Sequence, residues 1–269
     1  MDEARGSGVQ SLDRALKLLE YLADAGGSLR LAELEAVTGL PLPTVHRLLR
    51  ALAHNGFVRQ EPSRRYALGP RLIRLGETAG RALGTWAGPR LAELVDEIGE
   101  TANMAVLEAD AVVYVAQVPS AHSMRMFTEV GRCVSAHSTG VGKALLSQLP
   151  DDQVRELLQR TGMPTRTPRT HTEPAAFLAE LAQAREQGWA VDTAEHETGV
   201  RCVAVPVLGA PTRSAVSVSG PSERITAGRV VEIAPVLLRV AEGLARDLSG
   251  DAPASPAVLR PGTSPTCDG

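Results

Sequence analysis

Apolar residues recur at helical spacing through SLDRALKLLEYLADAGG. Ser11 is the expected cap, and Leu12, Ala15, Leu16, Leu19, Leu22 and Ala23 fall on one face before Gly26-Gly27 stops the helix. A shorter helix follows in LRLAELEAVTG, with Leu31, Leu34 and Val37 inward and Gly39 as its stop. In LPLPTVHRLLRALAHNG the stripe Val45, Leu48, Leu49 and Leu52 predicts a third helix, ended by Asn55-Gly56. The pattern then changes to alternation. FVRQ and RYAL flank a Pro62-Ser63-Arg64 turn, which predicts a β-hairpin. Two short helices joined by a tight glycine turn are a helix-turn-helix signature, whose second helix enters the major groove, and the hairpin is its wing.

Beyond Pro70 the pattern is mixed. A linker helix is expected to about Ala82, then another in TWAGPRLAELVDEIGE that buries Trp86, Leu91, Leu94, Val95 and Ile98. NMAVLEADAVVYVAQV alternates around a Glu108–Ala111 turn, a hairpin signal. Helices are expected over 140–149, 151–159 and 174–187, strands in WAVDT, RCVAVPVL and SAVSVS, and a closing helix over 227–248. Helices interleaved with antiparallel hairpins give an α+β fold rather than a doubly wound sheet. The expected organisation is a disordered 1–9, a winged helix-turn-helix over 10–70, a linker helix over 71–83, an α/β domain over 84–248, and a disordered, proline-rich tail over 249–269.

The formal net charge of -3 gives no global basicity, so a nucleic-acid surface has to be local. From Leu42 to Arg71 six arginines stand against a single acid, Glu61. Such concentrated charge is what phosphate contact requires. The candidate DNA contacts are Pro43, Thr44, His46, Arg47 and Arg50 on the outward face of the second helix, and Arg59, Arg64 and Arg65 on the wing. No apolar run approaches the roughly 20 residues of a membrane helix, and MDEARGSGVQ lacks a leader's apolar core. Cys133, Cys202 and Cys267 form no disulfide framework. A cytoplasmic protein without membrane contact is expected.

HSTGVGKALLS, residues 137–147, resembles a nucleotide phosphate loop only superficially. With Gly142-Lys143 as anchor, such a loop needs glycine at 137 and a hydroxyl at 144, where His137 and Ala144 stand. What survives is a helix start whose Gly140 and Val141 amides suit a carboxylate. Lys143, one turn in, is read either as a second charge at that anion or as an exposed residue. Asp192, Cys202, Ser217 and Ser219 are further polar candidates, the serines alternating on one strand face. Two other readings stand beside this one. Cys202 with His196 offers a thiol enzyme, and Cys133 and His137, with His122, His171, His196 and Cys202 as further ligands, offer a metal sensor, though no pair has structural-zinc spacing. No metal and no cofactor are assigned.

These segments together resemble the IclR family of bacterial transcriptional regulators. The similarity lies in SLDRALKLLEYLAD, LRLAELEAVTGLPLPTVHRLLRALAHNGFV and RRYALGPRLIRLG, then in ETANMAVLEADAVVYV, HSTGVGKALLS, GWAVDTAEHETGVRCVAVPV and SVSGP, over residues 10 to 248. The resemblance implies a linker helix, a GAF-like effector-binding domain, and dimers or dimers of dimers on palindromic operators. It implies effector-binding roles for Gly140, Val141, Asp192, Cys202, Ser217 and Ser219, with Met126, Val134 and Val200 as apolar wall. The effector it implies is a small carboxylate: glyoxylate, pyruvate or a ureido acid such as allantoate. A regulator whose second domain only dimerises is the remaining alternative. Leu42-Pro43 replaces the family's usual Lys-Ser before the recognition helix, which removes one expected DNA contact.

Overall fold

The computed structural model describes residues 10–83, 87–126 and 128–249. Trp86, Cys267 and the two terminal segments expected to be disordered lie outside the described residues, except for Ser249. The chain forms two compact units, divided at Ala82 and Leu83.

The first unit contains α1 (Gln10–Asp24), α2 (Leu31–Thr38), α3 (Leu42–His54) and a small antiparallel sheet. Its strands are β1 (Ser28–Leu29), β2 (Val58–Gln60) and β3 (Tyr66–Leu68), in the order β1-β3-β2. Gly39 ends α2 in the left-handed region at φ 63°, which makes the tight turn into α3. The core is Leu18, Leu22, Leu34, Val45, Leu48, Leu49, Val58 and Tyr66. Burial of each leucine is worth about 1.5–3 kcal/mol.

Two helical stripes differ from the expected ones. On α1, which already includes Gln10 and so begins before Ser11, Leu18 and Leu22 are buried, while Leu12 and Leu16 are half exposed and Ala23 faces solvent. On α2, Val37 is also exposed. Apolar residues sit on two sides of α1, and packing against α3 selects the Leu18 side. The unit continues into α4 (Arg71–Leu83), on which Ile73 and Leu75 are exposed.

The second unit is built on a six-stranded, wholly antiparallel sheet of order β6-β5-β4-β9-β8-β7. The strands are β4 (Thr101–Glu108), β5 (Ala111–Val118), β6 (Cys133–Val134), β7 (Ala190–Thr193), β8 (Val200–Val207) and β9 (Ser214–Pro221). One face packs Val203, Val205, Val216 and Val218 against α5 (Gly88–Ile98) and α9 (Ala227–Ser249). The other packs Ala105, Ala204 and Ala215 against α6 (Gly140–Leu146), α7 (Asp151–Thr161) and α8 (Pro174–Gln187). The first face is lined with valines and the second with small residues. Alternation along each strand produces that division, and the small side chains let α6 lie close to the sheet. No helix among the described residues is long and apolar enough to cross a membrane.

Candidate functional site

On α3, His46, Arg47 and Arg50 are exposed, Pro43 is exposed within the first turn, and Thr44 is half-buried. The helix begins at Leu42, whose N–H donates to Glu35 Oε1 at 3.2 Å, so α2 fixes the start of α3. Wing arginines have divergent fates. Arg64 is exposed at the turn with φ 62°. Arg59 pairs with Glu61 at 3.3 Å. Arg65 is drawn into the unit: it donates to Ser28 Oγ at 3.1 Å and to the Ser28 carbonyl at 2.8 Å, and pairs with Glu33 at 3.3 Å. It therefore ties the wing to α2 rather than presenting charge outward. Arg71 is likewise engaged, with the Asn55 carbonyl and over the Phe57 ring.

In the second unit four polar candidates meet on the α6 face of the sheet. Asp192 lies opposite Cys202 across β7 and β8, and Cys202 opposite Ser219 across β8 and β9. Ser217 is two residues along β9, opposite Asn103 of β4. Above them α6 starts at Gly140, so near that a Cβ there would stand 2.9 Å from Cys202 Sγ. Gly142 is tighter still, its hypothetical Cβ meeting the Ala136 carbonyl at 2.1 Å. Thr139 caps the helix by accepting the Gly142 N–H at 3.2 Å. Val141 is fully buried in the core beneath, and Val200, two residues before Cys202, and Met126 are half-buried. Val134 sits on the opposite edge strand, yet it shares a cleft with His196, so the sheet curls its two edges together.

The electrostatics of this face follow from its burial. Asp192 accepts the Glu195 N–H at 2.7 Å, but burial, aided by the nearby Glu195 charge, pushes its carboxyl up to about 7. Burial and the Asp192 carboxylate push the Cys202 thiol up to about 12. A thiol so held stays protonated and is a poor nucleophile. His196 does not pair with it; its Nδ1 contacts Ser138 Oγ at 3.1 Å. The thiol-enzyme reading therefore lacks an activated sulfur.

Several residues of this face were not anticipated. Asn103, fully buried, donates to Ser219 Oγ at 2.9 Å and accepts from Gln117 Nε2 at 3.0 Å. Ser217 Oγ is buried with the Cys202 thiol beside it and no well-formed hydrogen bond, a costly state for a hydroxyl. Tyr114 is buried on the same face, and burial raises its phenol far above the ordinary range.

Lys143 overturns both of its expected roles. Its side chain is wholly buried, and Nζ donates to Glu195 at 2.7 Å, Glu180 at 2.6 Å and the Val191 carbonyl at 2.6 Å. It is neither exposed nor free for an anion. His171 closes on the second Glu180 oxygen at 2.5 Å, off the hydrogen-bonding direction. Among the described residues, His171, Glu180 and Glu195 are the group close enough to hold a metal ion, and the lysine ammonium already stands as their cation. The Cys133–His137 set considered from the sequence does not converge there.

Comparison with known proteins bears on both units. Residues 11–62 match the IclR helix-turn-helix domain, and residues 79–246 match the bacterial transcriptional regulator IclR C-terminal family. The transcriptional repressor IclR of Escherichia coli (strain K12) is 39% identical over 241 residues, covering 87% of this chain and 88% of that protein. The HTH-type transcriptional repressor AllR of the same strain is 33% identical over 229 residues, covering 83% and 84%. Among solved structures, an IclR transcriptional regulator from Alicyclobacillus acidocaldarius matches with a TM-score of 0.77 at 27% identity, covering 88% of this chain and 98% of that one. IclR of Thermotoga maritima matches at 0.70 and 27%, covering 90% and 99%. With a helix-turn-helix matched in the first unit and the curled-sheet domain matched in the second, the chain belongs to the IclR family of bacterial transcriptional regulators and is a regulator, not an enzyme.

Proposed function

We propose that this chain is a cytoplasmic repressor of a catabolic operon whose grip on its operator is modulated by a small carboxylate bound between α6 and the sheet. The observation that carries the reading is the gathering of Asp192, Cys202, Ser217 and Ser219 on one buried face, with no well-formed hydrogen bond at the Ser217 hydroxyl. A similar protein in Salmonella typhimurium, 39% identical, is named acetate operon repressor, which supports a small acid as the controlling metabolite.

The Ser217 and Ser219 hydroxyls and the first amides of α6, at Gly140 and Val141, receive the carboxylate. Thr139 already takes the third amide, and the first N–H groups of a helix have no acceptor within it. Asp192, titrating near neutrality, donates its proton to a keto, aldehyde or ureido oxygen at the far end, beside Cys202. Met126, Val134 and Val200 supply the apolar wall. Glyoxylate, pyruvate and a ureido acid such as allantoate have this chemistry.

DNA is held by His46, Arg47, Arg50 and Thr44 of α3, with Pro43 at its start and Arg64 and Arg59 on the wing. Exposed leucines on α1 and exposed Ile73 and Leu75 on α4 are large apolar side chains that a second copy would cover. A dimer, or a dimer of dimers, presents two recognition helices about 34 Å apart, one DNA turn. Effector and DNA then oppose one another through a coupling energy of about 1–3 kcal/mol, with α4 as the covalent link between the units.

The test is a gel shift on the intergenic DNA flanking the protein's own gene, titrated with a panel of small oxo- and ureido acids. Asp192→Ala is expected to leave DNA bound and insensitive to ligand. A panel in which no acid binds in calorimetry defeats the carboxylate reading.

A further inference from the structure

A cleft of about 500 Å³ opens beside β6, between the short turn at 136–138, the segment that follows α7, and His196 in the loop after β7. Its size is that of a metabolite site. None of Asp192, Cys202, Ser217 or Ser219 lines it; of the residues assigned to the sheet-face pocket, Val134 does. Its charged lining is Arg132, Arg166 and Asp110, joined by His137, His196 and Ser135.

The charges do not cancel. Asp110 is held by both arms of Arg160, at 2.7 and 2.8 Å, so its charge is already answered. Arg132 and Arg166 have no carboxylate within ion-pair distance among the described residues; Arg166 donates only to Ser135 Oγ, at 3.2 Å. The other acid in reach is the exposed Glu197, which faces His196. Both imidazoles are held below their ordinary range, first by burial and then by the Arg166 guanidinium. His137 donates from Nε2 to the Pro164 carbonyl at 3.1 Å, since a carbonyl can only accept. Two guanidinium groups without a carboxylate partner, lining one cleft with two imidazoles and a serine hydroxyl, are a receptor for oxyanions.

We infer that this cleft is a second small-molecule site, adjoining the sheet-face pocket at Val134 but sharing none of its polar groups, and that it takes a dianion: a dicarboxylate or a phosphate monoester. A dianion answers both guanidinium groups, whereas a monocarboxylate leaves one unpaired. The site also adjoins the start of α6. His196 contacts Ser138 at 3.1 Å, and Ser138 immediately precedes Thr139, the cap of α6. A ligand here therefore bears on the helix that roofs the other pocket.

The full chain is titrated calorimetrically with succinate and, separately, inorganic phosphate, at constant ionic strength, with glyoxylate as the monoanion control. Saturable binding of one dianion per chain is expected, weakened at least tenfold in the double variant Arg132→Gln, Arg166→Gln and unchanged in Ser217→Ala. Binding of succinate alone assigns a dicarboxylate, and of phosphate alone a phosphate monoester. In ¹H–¹⁵N spectra the His137 and His196 imidazoles of the unaltered protein shift on addition of the ligand, a readout that does not rely on any variant folding. The inference is overturned if neither dianion saturates the protein at millimolar concentration, if the double variant binds equally well, or if Ser217→Ala abolishes binding. Glyoxylate binding that persists while both dianions fail removes this cleft and leaves the carboxylate pocket standing.

Discussion

The two helices that matter most, α3 and α6, treat positive charge in opposite ways. On α3, Arg47 and Arg50 stand in solvent, where an unpaired charge costs little. On α6, Lys143 is wholly buried and surrounded by Glu195, Glu180 and the Val191 carbonyl. Both lie in segments that looked helical in the sequence, each with a cation offered to an anion. The difference teaches that a cation's availability depends on its surroundings rather than on its residue type. The exposed arginines of α3 have no ion-pair partner among the described residues, and the buried lysine of α6 has two.

The contrast is most easily broken at Lys143. Lys143→Ala leaves Glu195 buried without its cation, and the expected loss is about 3–5 kcal/mol of the second unit's stability, seen in calorimetric unfolding. Lys143→Met combined with Glu195→Gln is expected to recover much of that loss, because the uncompensated charge is gone. Recovery no better than the single variant would mean that packing, not charge, dominates.

Asp192 gives a pH-dependent version of the same contrast. Its folded pKa, about 7, lies above the ordinary carboxylate value, so the folded state retains the proton longer than the unfolded chain. The associated stability is present in full below about pH 4, is lost as pH rises toward 7, and stays lost above it. The loss is on the order of 4 kcal/mol by the usual conversion of pKa into free energy. Unfolding of the wild type and Asp192→Asn across pH 4–8 checks the sign: the difference between them should change through that window and be flat beyond it. If a protonated Asp192 donates to the ligand, carboxylate affinity falls roughly tenfold per pH unit above 7 in the wild type and not in Asp192→Asn.

Gly142→Ala tests how closely α6 is seated. A Cβ would meet backbone at 2.1 Å, and overpacking of this kind costs about 1–3 kcal/mol or more. On α3 the stability effect is the smallest. Arg47→Ala is expected to change thermal stability by less than about 0.5 kcal/mol. The same variant abolishes operator retardation in gel shifts while small-acid binding persists. Loss of both would indicate misfolding.

Much of this was legible in the sequence. The order of elements was, because glycine stops, hydrophobic periods and alternating strands are local signals. β1 and β6 were not, since two-residue strands carry no period. The α1 stripe was misassigned because leucines occupy two of its sides, and only the partner helix decides between them. For the polar face beneath α6, the alternation of Ser217 and Ser219 was readable, and the register that sets Cys202 between Asp192 and Ser219 emerged only with the sheet. Lys143 was misread for a related reason. Its partners Glu180 and Glu195 are 37 and 52 residues away, beyond any pattern of spacing. Arg65 likewise found Ser28 across 37 residues.

The burial of Lys143 has a practical consequence at the bench. The chain contains two lysines, Lys17 and Lys143, and only Lys17, on α1, is exposed. Amine-directed reagents on the folded protein will therefore mark Lys17 and the chain's amino terminus, and will reach Lys143 only when the second unit opens. A dye or a surface can thus be attached at a single defined side chain of the DNA-binding unit, and the appearance of a second labelled lysine is a direct clock for opening of the other.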